Sequence, residues 1–379
     1  MTLLNAKSPL PLYVVILKEG PTHSLEDIQP HCEVLAQRFS GELWTYGGYD
    51  ADVRIGGMRL RVIDGGNGNK FQRYRTFFRA VVGRARALRM ENRGRTIVVS
   101  YDPFKTGFLA SRFARIVKGK FISEVNGAYG DPDTFADIRS GAWRNIRLLQ
   151  MRLLGGYVLR RADGVKLLFD AQLDGFARPN PHAILRRFFD IAYIDRFHDG
   201  EEEPIILLAG YPFRRKGADV LCAAFLAIAE RYPEWRLVLI GHELAAGMQT
   251  AGIAHPRILV YPGMPQNQLV EWVARSSIVA QPSRSEAMGR ILIEAAAAGK
   301  CRVATSVNGI PTVIDDEVDG LLVPKDDAGA LASALERLMR DSDLRHRLGN
   351  AAKERARRDF TADAYLDHYA EFFSALSTE

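Results

Sequence analysis

Residues 281–300, QPSRSEAMGRILIEAAAAGK, decide how the rest of the chain is read. An apolar run at 278–280 has the length and composition of a buried strand. A polar loop containing Glu286 and Gly289 follows it, and a helical pattern begins near Arg290. A helix that starts at the carboxyl end of a parallel strand aims bare N–H groups and the positive end of its dipole outward, an arrangement suited to a diphosphate. Gly289 permits close approach of the backbone to such a ligand. Glu294, in the early turns of a helix whose neighbours Ile291, Leu292, Ile293, Ala295 and Ala296 are apolar, would be costly to bury without a partner. It suits two vicinal ribose hydroxyls, the role acidic residues take in dinucleotide sites. Glu286, earlier in the loop, is placed to reach a group carried beyond the diphosphate.

The same strand–loop–helix grammar extends in both directions. Strand candidates lie at 13–17, 96–100, 120–125, 164–168, 205–209, 236–240, 258–261, 278–280, 302–305 and 320–323, and most are separated by apolar residues at a period near 3.6. The run at 219–231 is typical, with Val220, Ala223, Ala224, Leu226 and Ala227 on one face. This alternation predicts parallel sheets covered by helices on both faces. The chain has 379 residues, enough for two domains of ordinary size. The charged stretch HDGEEEP at 198–204 reads as the linker between two Rossmann-like domains, 1–197 and 204–361. Two such sheets facing each other would enclose a ligand beyond the carboxyl ends of their strands. A last helical segment, 362–379, carries Tyr365, Leu366, Tyr369, Phe372, Phe373 and Leu376 as an apolar stripe. That stripe requires a dry surface, on the first domain or on its own.

Composition narrows the classes. Hydrophobic residues make up 47% and charged residues 25%, a globular balance. The three cysteines, Cys32, Cys222 and Cys301, lack metal or disulfide spacing, which favours a reducing compartment. The first apolar run is only strand-length and is followed at once by Lys18 and Glu19, unlike an export signal. No segment reaches the roughly 20 apolar residues of a membrane span. A cytoplasmic protein, at most peripheral on the inner face of a membrane, is expected. The net charge of +6 calls for a polyanionic partner: nucleic acid, anionic lipid or a phosphorylated small molecule. Arginines are dense between Phe71 and Arg95, interleaved with Phe77, Phe78, Val81, Val82 and Leu88. Two readings fit this stretch: a basic amphipathic helix on an anionic membrane surface, or a core-packed helix with a solvated arginine face.

Taken together, the run at 281–300 with VATSVNGIP at 303–311 and DGLLVPKDD at 319–327 resembles the donor-site signature of the retaining GT-B glycosyltransferases of family 4, the glycosyl transferases group 1. FRRKG at 213–217, LVLIGHE at 237–243, DPFKTG at 102–107, EVNG at 124–127 and RADG at 161–164 agree with it in order and spacing. The resemblance implies a GT-B fold and transfer of a sugar from a UDP- or GDP-linked donor to a hydroxyl acceptor. That acceptor would be a glycan or lipid-linked saccharide of bacterial envelope or exopolysaccharide synthesis. It implies catalytic roles for Glu286, Lys216, Arg215 and Asn126. Donor contacts are implied from Glu294, Gly289, Met288, Arg290, Ile291, Gly241 and Pro262, and acceptor-side roles for Asp102 and Lys105. Arg215 and Lys216 also stand on their own chemistry, since a forked and a point cation after a strand suit a pyrophosphate.

The family often has an arginine directly after the glycine that follows the 205–209 strand; here Tyr211 follows Gly210, so that role falls to Arg215, with Arg214 as its rival. The sequence departs from the family at three further places. Asn126 stands where a histidine is usual, Thr312 where a glutamate is usual, and KEGPTHS at 18–24 where a glycine pair is usual. No cofactor and no metal are expected, and Asp131-Pro132-Asp133 lies away from the donor signature. Same-face substitution assisted by the leaving diphosphate is the expected mechanism. An epimerase or hydrolase on the same architecture is the enzymatic alternative. A nucleic-acid-binding protein is the other, although no reading element accompanies the arginines.

Overall fold

The computed structural model describes residues 12–22, 25, 28–66, 69–91, 95–135, 137, 138, 140–174, 176, 182–184, 191, 194, 202–242 and 244–377. Most of the linker read at 198–204 lies outside these residues, as does Glu243. The chain divides into two compact units. Unit 1 gathers residues 1–126, 149–185 and 365–379, and unit 2 gathers 127–148 and 186–364.

Unit 1 is built on β1 (Leu12–Thr22), β2 (Ser40–Gly47), β3 (Ala51–Ile55), β4 (Met58–Asp64), β5 (Arg95–Ser100), β6 (Lys120–Glu124), β7 (Gly164–Leu167) and β8 (His182–Ile184). They form one eight-stranded sheet in the order β3-β4-β2-β1-β5-β6-β7-β8. Every pairing is parallel except β3 with β4, an antiparallel hairpin at the edge. Strands β2, β3, β4 and β8 were not anticipated. The signal for β4 was nonetheless present: Met58, Leu60 and Val62 are buried while Arg59 is exposed, the alternation of a strand at a sheet border. The helices are α1 (Gln29–Ala36), α2 (Lys70–Met90), α3 (Lys105–Val117), α4 (Gly141–Leu159), which begins in unit 2, and the C-terminal helix.

The arginine-rich segment is α2. Its Phe77, Val81, Ala85 and Leu88 are buried in a cluster with Val15, Val98, Leu109 and Phe113. Arg84 turns inward to the buried Glu42 at 2.6 Å, and Tyr13 and Trp44 also donate to that carboxylate. The apolar face of α2 is therefore used by the core, as in the second of the two readings, and its other arginines lie on the outer side.

Unit 2 contains β9 (Glu203–Ala209), α5 (Ala218–Ile228), β10 (Arg236–Ile240), α6 (Leu244–Thr250), β11 (Ile258–Tyr261), α7 (Gln266–Arg275), β12 (Ser276–Gln281), α8 (Arg290–Ala297), β13 (Cys301–Thr305), β14 (Leu321–Val323), α9 (Ala328–Arg340) and α10 (Ser342–Asp359). Its six strands run parallel in the order β11-β10-β9-β12-β13-β14. The central strands read as unbroken apolar runs because both faces are covered: Ile205 to Leu208 and Leu237 to Leu239 are at most 1% exposed.

The last helix, α11 (Ala362–Ser377), buries Tyr365, Leu366, Tyr369, Phe372, Phe373 and Leu376. Phe373 packs on Phe39 with ring centroids 5.3 Å apart, and His31 meets the Tyr365 hydroxyl at 2.9 Å, all within unit 1.

Candidate active site

In unit 2 the strand order reverses between β9 and β12. The chain leaves β9 toward one edge of the sheet and β12 toward the other, so the loops after these two strands diverge. An open α/β sheet binds its ligand at such a point, beyond the carboxyl ends. The loop after β9 carries Arg214, Arg215 and Lys216; the loop after β12 carries Glu286 and Gly289.

The two loops are stapled to each other. Arg284 forks onto both carboxylate oxygens of Asp219 at 2.8 and 2.9 Å, and its backbone N–H donates to the Arg215 carbonyl at 2.8 Å. Gly217 lies so close to the second loop that a Cβ there would sit 1.9 Å from the Pro282 carbonyl oxygen, and its φ is +68°. Only glycine meets both conditions without displacing backbone. The Asp137 carboxylate accepts the amides of Arg214 and Arg215 at 3.1 and 3.2 Å.

Within this frame Lys216 forms an ion pair with Glu286, both side chains nearly buried. Gln281, wholly buried, approaches the same carboxylate at 3.5 Å. Burial is the largest influence on Glu286 and would raise its pKa; Lys216, then Arg215 and the Ala287 amide, outweigh it and hold the carboxyl below its ordinary range. The backbone of Glu286 is fixed as well, because its N–H donates to Asn308 Oδ1 at 3.0 Å. Arg215 donates through Nη2 to the Tyr211 carbonyl at 3.0 Å, and its buried Nε has no hydrogen-bond partner.

Helix α8 begins at Arg290 behind Gly289, which adopts φ +75° and supplies no side-chain cap. Gly289 thus offers the first-turn amides no side-chain acceptor, and that of Leu292 donates to the Gly289 carbonyl at 2.9 Å. Glu294 is 2% exposed and accepts from Gln266 Nε2 at 2.8 Å and from Arg290 Nε at 2.7 Å. Met288 and Ile291 are buried beside it in the chain. Gly241 follows β10, its N–H donating to the Tyr261 carbonyl at 3.1 Å, and Pro262 follows β11 on the exposed side. Unit 2 therefore gathers Lys216, Arg215, Glu286, Gly289 and Glu294 from loops and helices at the carboxyl ends of its central strands.

Asp131-Pro132-Asp133, expected to lie away from the donor signature, sits in unit 2, where Asp133 pairs with Lys325 of the 319–327 run at 2.6 Å, whereas Asn126, Asp102 and Lys105 lie in unit 1. Asn126 follows β6 and is fully engaged: its amide donates to the Tyr101 carbonyl and to Glu124, both at 2.8 Å, and its oxygen accepts from Lys166 at 3.2 Å. Asp102 is buried at the start of α3, where it accepts the Phe104 amide at 2.6 Å and the Thr106 hydroxyl. Its carboxylate helps hold the helix start. Lys105 is exposed.

Sequence reasoning missed Asn308, Gln266, Arg284 and Asp137. The Asn-Gly dipeptide at 308–309 was a readable turn signal. Nothing local marks Asp137, whose partners lie 77 and 78 residues away. Among the described residues no group of three or more His, Cys, Asp or Glu side chains is placed to hold a metal ion.

Residues 193–355 match the family model of the glycosyl transferases group 1. A D-inositol 3-phosphate glycosyltransferase of Xylanimonas cellulosilytica is 36% identical over 212 residues, covering 52% of this chain and 49% of that protein. The chain thus spans about half the length of the curated relatives it matches. Among solved structures, sucrose-phosphate synthase of Thermosynechococcus elongatus superposes with a TM-score of 0.75 at 18% identity, over 97% of this chain and 99% of that one. Anabaena HepE in complex with UDP gives 0.67 at 14% identity, over 96% and 100%. At these identities the likeness is one of fold, and the fold is GT-B.

Proposed function

We propose that this chain, whose residues 193–355 match the glycosyl transferases group 1, moves a sugar from a nucleotide diphosphate to a hydroxyl acceptor with retention of configuration. Unit 2 takes the donor, and unit 1 presents the acceptor. The observation that carries the reading is the Lys216–Glu286 pair at the strand-order reversal, beside the uncapped start of α8 and the buried Glu294.

Each group then has a task. Glu294, already ionically and hydrogen-bond anchored by Arg290 and Gln266, receives the ribose hydroxyls. The Arg290 and Ile291 amides at the start of α8 and the unpartnered Nε of Arg215 receive phosphate oxygens. Lys216 neutralises charge as the diphosphate departs, and stabilisation of that departing charge is the main catalytic contribution. Glu286, kept ionised by Lys216, faces the sugar and accepts its hydroxyls. The departing phosphate takes the acceptor proton on the same face, which requires no enzyme nucleophile. The UDP held by the structurally similar HepE supports a uridine nucleotide. The acceptor is a glycan or a lipid-linked saccharide.

A thermal-shift comparison of UDP-glucose, UDP and GDP-mannose on the wild-type chain and on Glu294→Ala tests this. Stabilisation by a UDP ligand that disappears in the variant is the expected result. Equal stabilisation of both proteins would place the nucleotide elsewhere.

A further inference from the structure

Helix α4 carries apolar side chains on two opposite sides. Gly155, Val158 and Leu159 are buried. Away from them, Trp143 is 63%, Leu149 57% and Leu153 67% exposed, and Ile146, Leu154 and Tyr157 are each more than a third exposed. At 3.6 residues per turn these six fall within an arc of about 140°. A helix apolar all round belongs in an interior, so the outer stripe is a surface that lacks its counterpart.

The charge around the stripe identifies that counterpart. From 141 to 161 there is no acidic residue, and Arg144, Arg147, Arg152, Arg160 and Arg161 are interspersed with the apolar positions. The basic rim continues onto α3. Arg161 lies over the Tyr157 ring at 3.6 Å, Tyr157 neighbours Phe108 at 6.1 Å, and Arg112 lies over Phe108 at 4.8 Å. We infer that α4 lies flat on an anionic lipid surface, with its leucines in the acyl boundary and its arginines at the headgroup phosphates. Trp143 and Tyr157, toward the two ends of the stripe, are the residue types that settle at the membrane–water interface.

A second copy of the chain is a poor occupant of this face. A two-fold contact sets the same patch against itself and would bring arginine against arginine. Spanning is also excluded for the described helices, none of which is long and apolar enough to cross a bilayer. The inference concerns α4 and α3 alone and does not depend on the donor reading.

The test is co-sedimentation of the full chain with vesicles of phosphatidylcholine, alone or mixed with phosphatidylglycerol, at low and high salt. The wild type should partition onto the anionic vesicles at least about tenfold more than onto the neutral ones, and added salt should reverse this. Leu149→Gln with Leu153→Gln should abolish the preference. Arg147→Gln with Arg152→Gln should weaken it about fivefold per arginine. Thermal unfolding and the UDP-ligand shift serve as folding controls; if the leucine pair does not fold, the outward-facing arginine pair decides. The inference is overturned if the wild type ignores anionic vesicles or if the folded variants bind them as well as the wild type. It is equally overturned if light scattering shows a dimer that the leucine variant dissolves.

Discussion

Each unit holds a lysine–glutamate pair at or beyond the carboxyl end of a parallel strand, and the two pairs are finished differently. In unit 1, Lys166 faces Glu124 at 3.4 Å with both side chains nearly inaccessible, at 2% and 6%. Asn126 and the Tyr369 hydroxyl of α11 complete the carboxylate's shell. In unit 2, Lys216 faces Glu286 at 12% and 13% exposure, between two loops and beside an uncapped helix start. A sealed pair can only support structure, whereas an open one can exchange a partner for a ligand. Identical residue types are thus enclosed to different degrees by what surrounds them.

Five substitutions and a pH profile test that contrast. The largest effect is expected from Glu124→Ala, which leaves the Lys166 ammonium buried without its carboxylate and should cost about 3–5 kcal/mol in chemical denaturation. Lys216→Ala should lower kcat/KM about 10²- to 10³-fold while the unfolding midpoint stays close to that of the wild type. If instead it destabilises the chain as Glu124→Ala does, the open pair is structural and the contrast fails. Glu294→Ala should weaken UDP-sugar binding about 10- to 100-fold by calorimetry, through loss of charge-assisted hydrogen bonds worth roughly 1.5–3 kcal/mol. Tyr369→Phe removes one donor from the sealed pair and should cost about 1–2 kcal/mol without changing donor affinity.

The pH dependence is the smallest effect near neutrality. Burial would raise the pKa of both Glu124 and Glu286, yet their lysines and hydrogen-bond donors hold each below the ordinary carboxylate value. A depressed carboxylate contributes stability that is complete above its unfolded pKa, about 4.3, and is lost as pH falls through the folded one. The unfolding midpoint should therefore be flat from about pH 8 to 5 and fall only below about 4. Glu124→Gln should flatten that acid limb.

Much of the candidate site in unit 2 was legible because its signals are local. The reversal from strand to loop to helix at 281–290, the glycine at 289 and the cations at 215 and 216 are all written within short windows. The strands of the 40–64 region were missed because their lengths and the Gly-Gly turn at 56–57 resemble a polar loop until the alternation at 58–62 is counted. Asn126 shows the other limit. Its place after a strand was readable, while the saturation of its amide by Tyr101, Glu124 and Lys166 was not, since those partners come from separate strands and loops.

What the sequence determined by itself was the alternation of strand and helix, the separation into two parallel sheets and the residue types at the strand ends. Those follow from hydrophobic period, glycine placement and the length of apolar runs, all properties of neighbours along the chain. Tertiary structure alone decided which lysine met which glutamate and how tightly each pair was enclosed. It also decided that α2 turns its apolar face inward whereas α4 leaves one outside. Enclosure depends on segments tens to hundreds of residues apart, as when Tyr369 closes over Glu124, and no local pattern encodes the neighbour that arrives from so far along the chain.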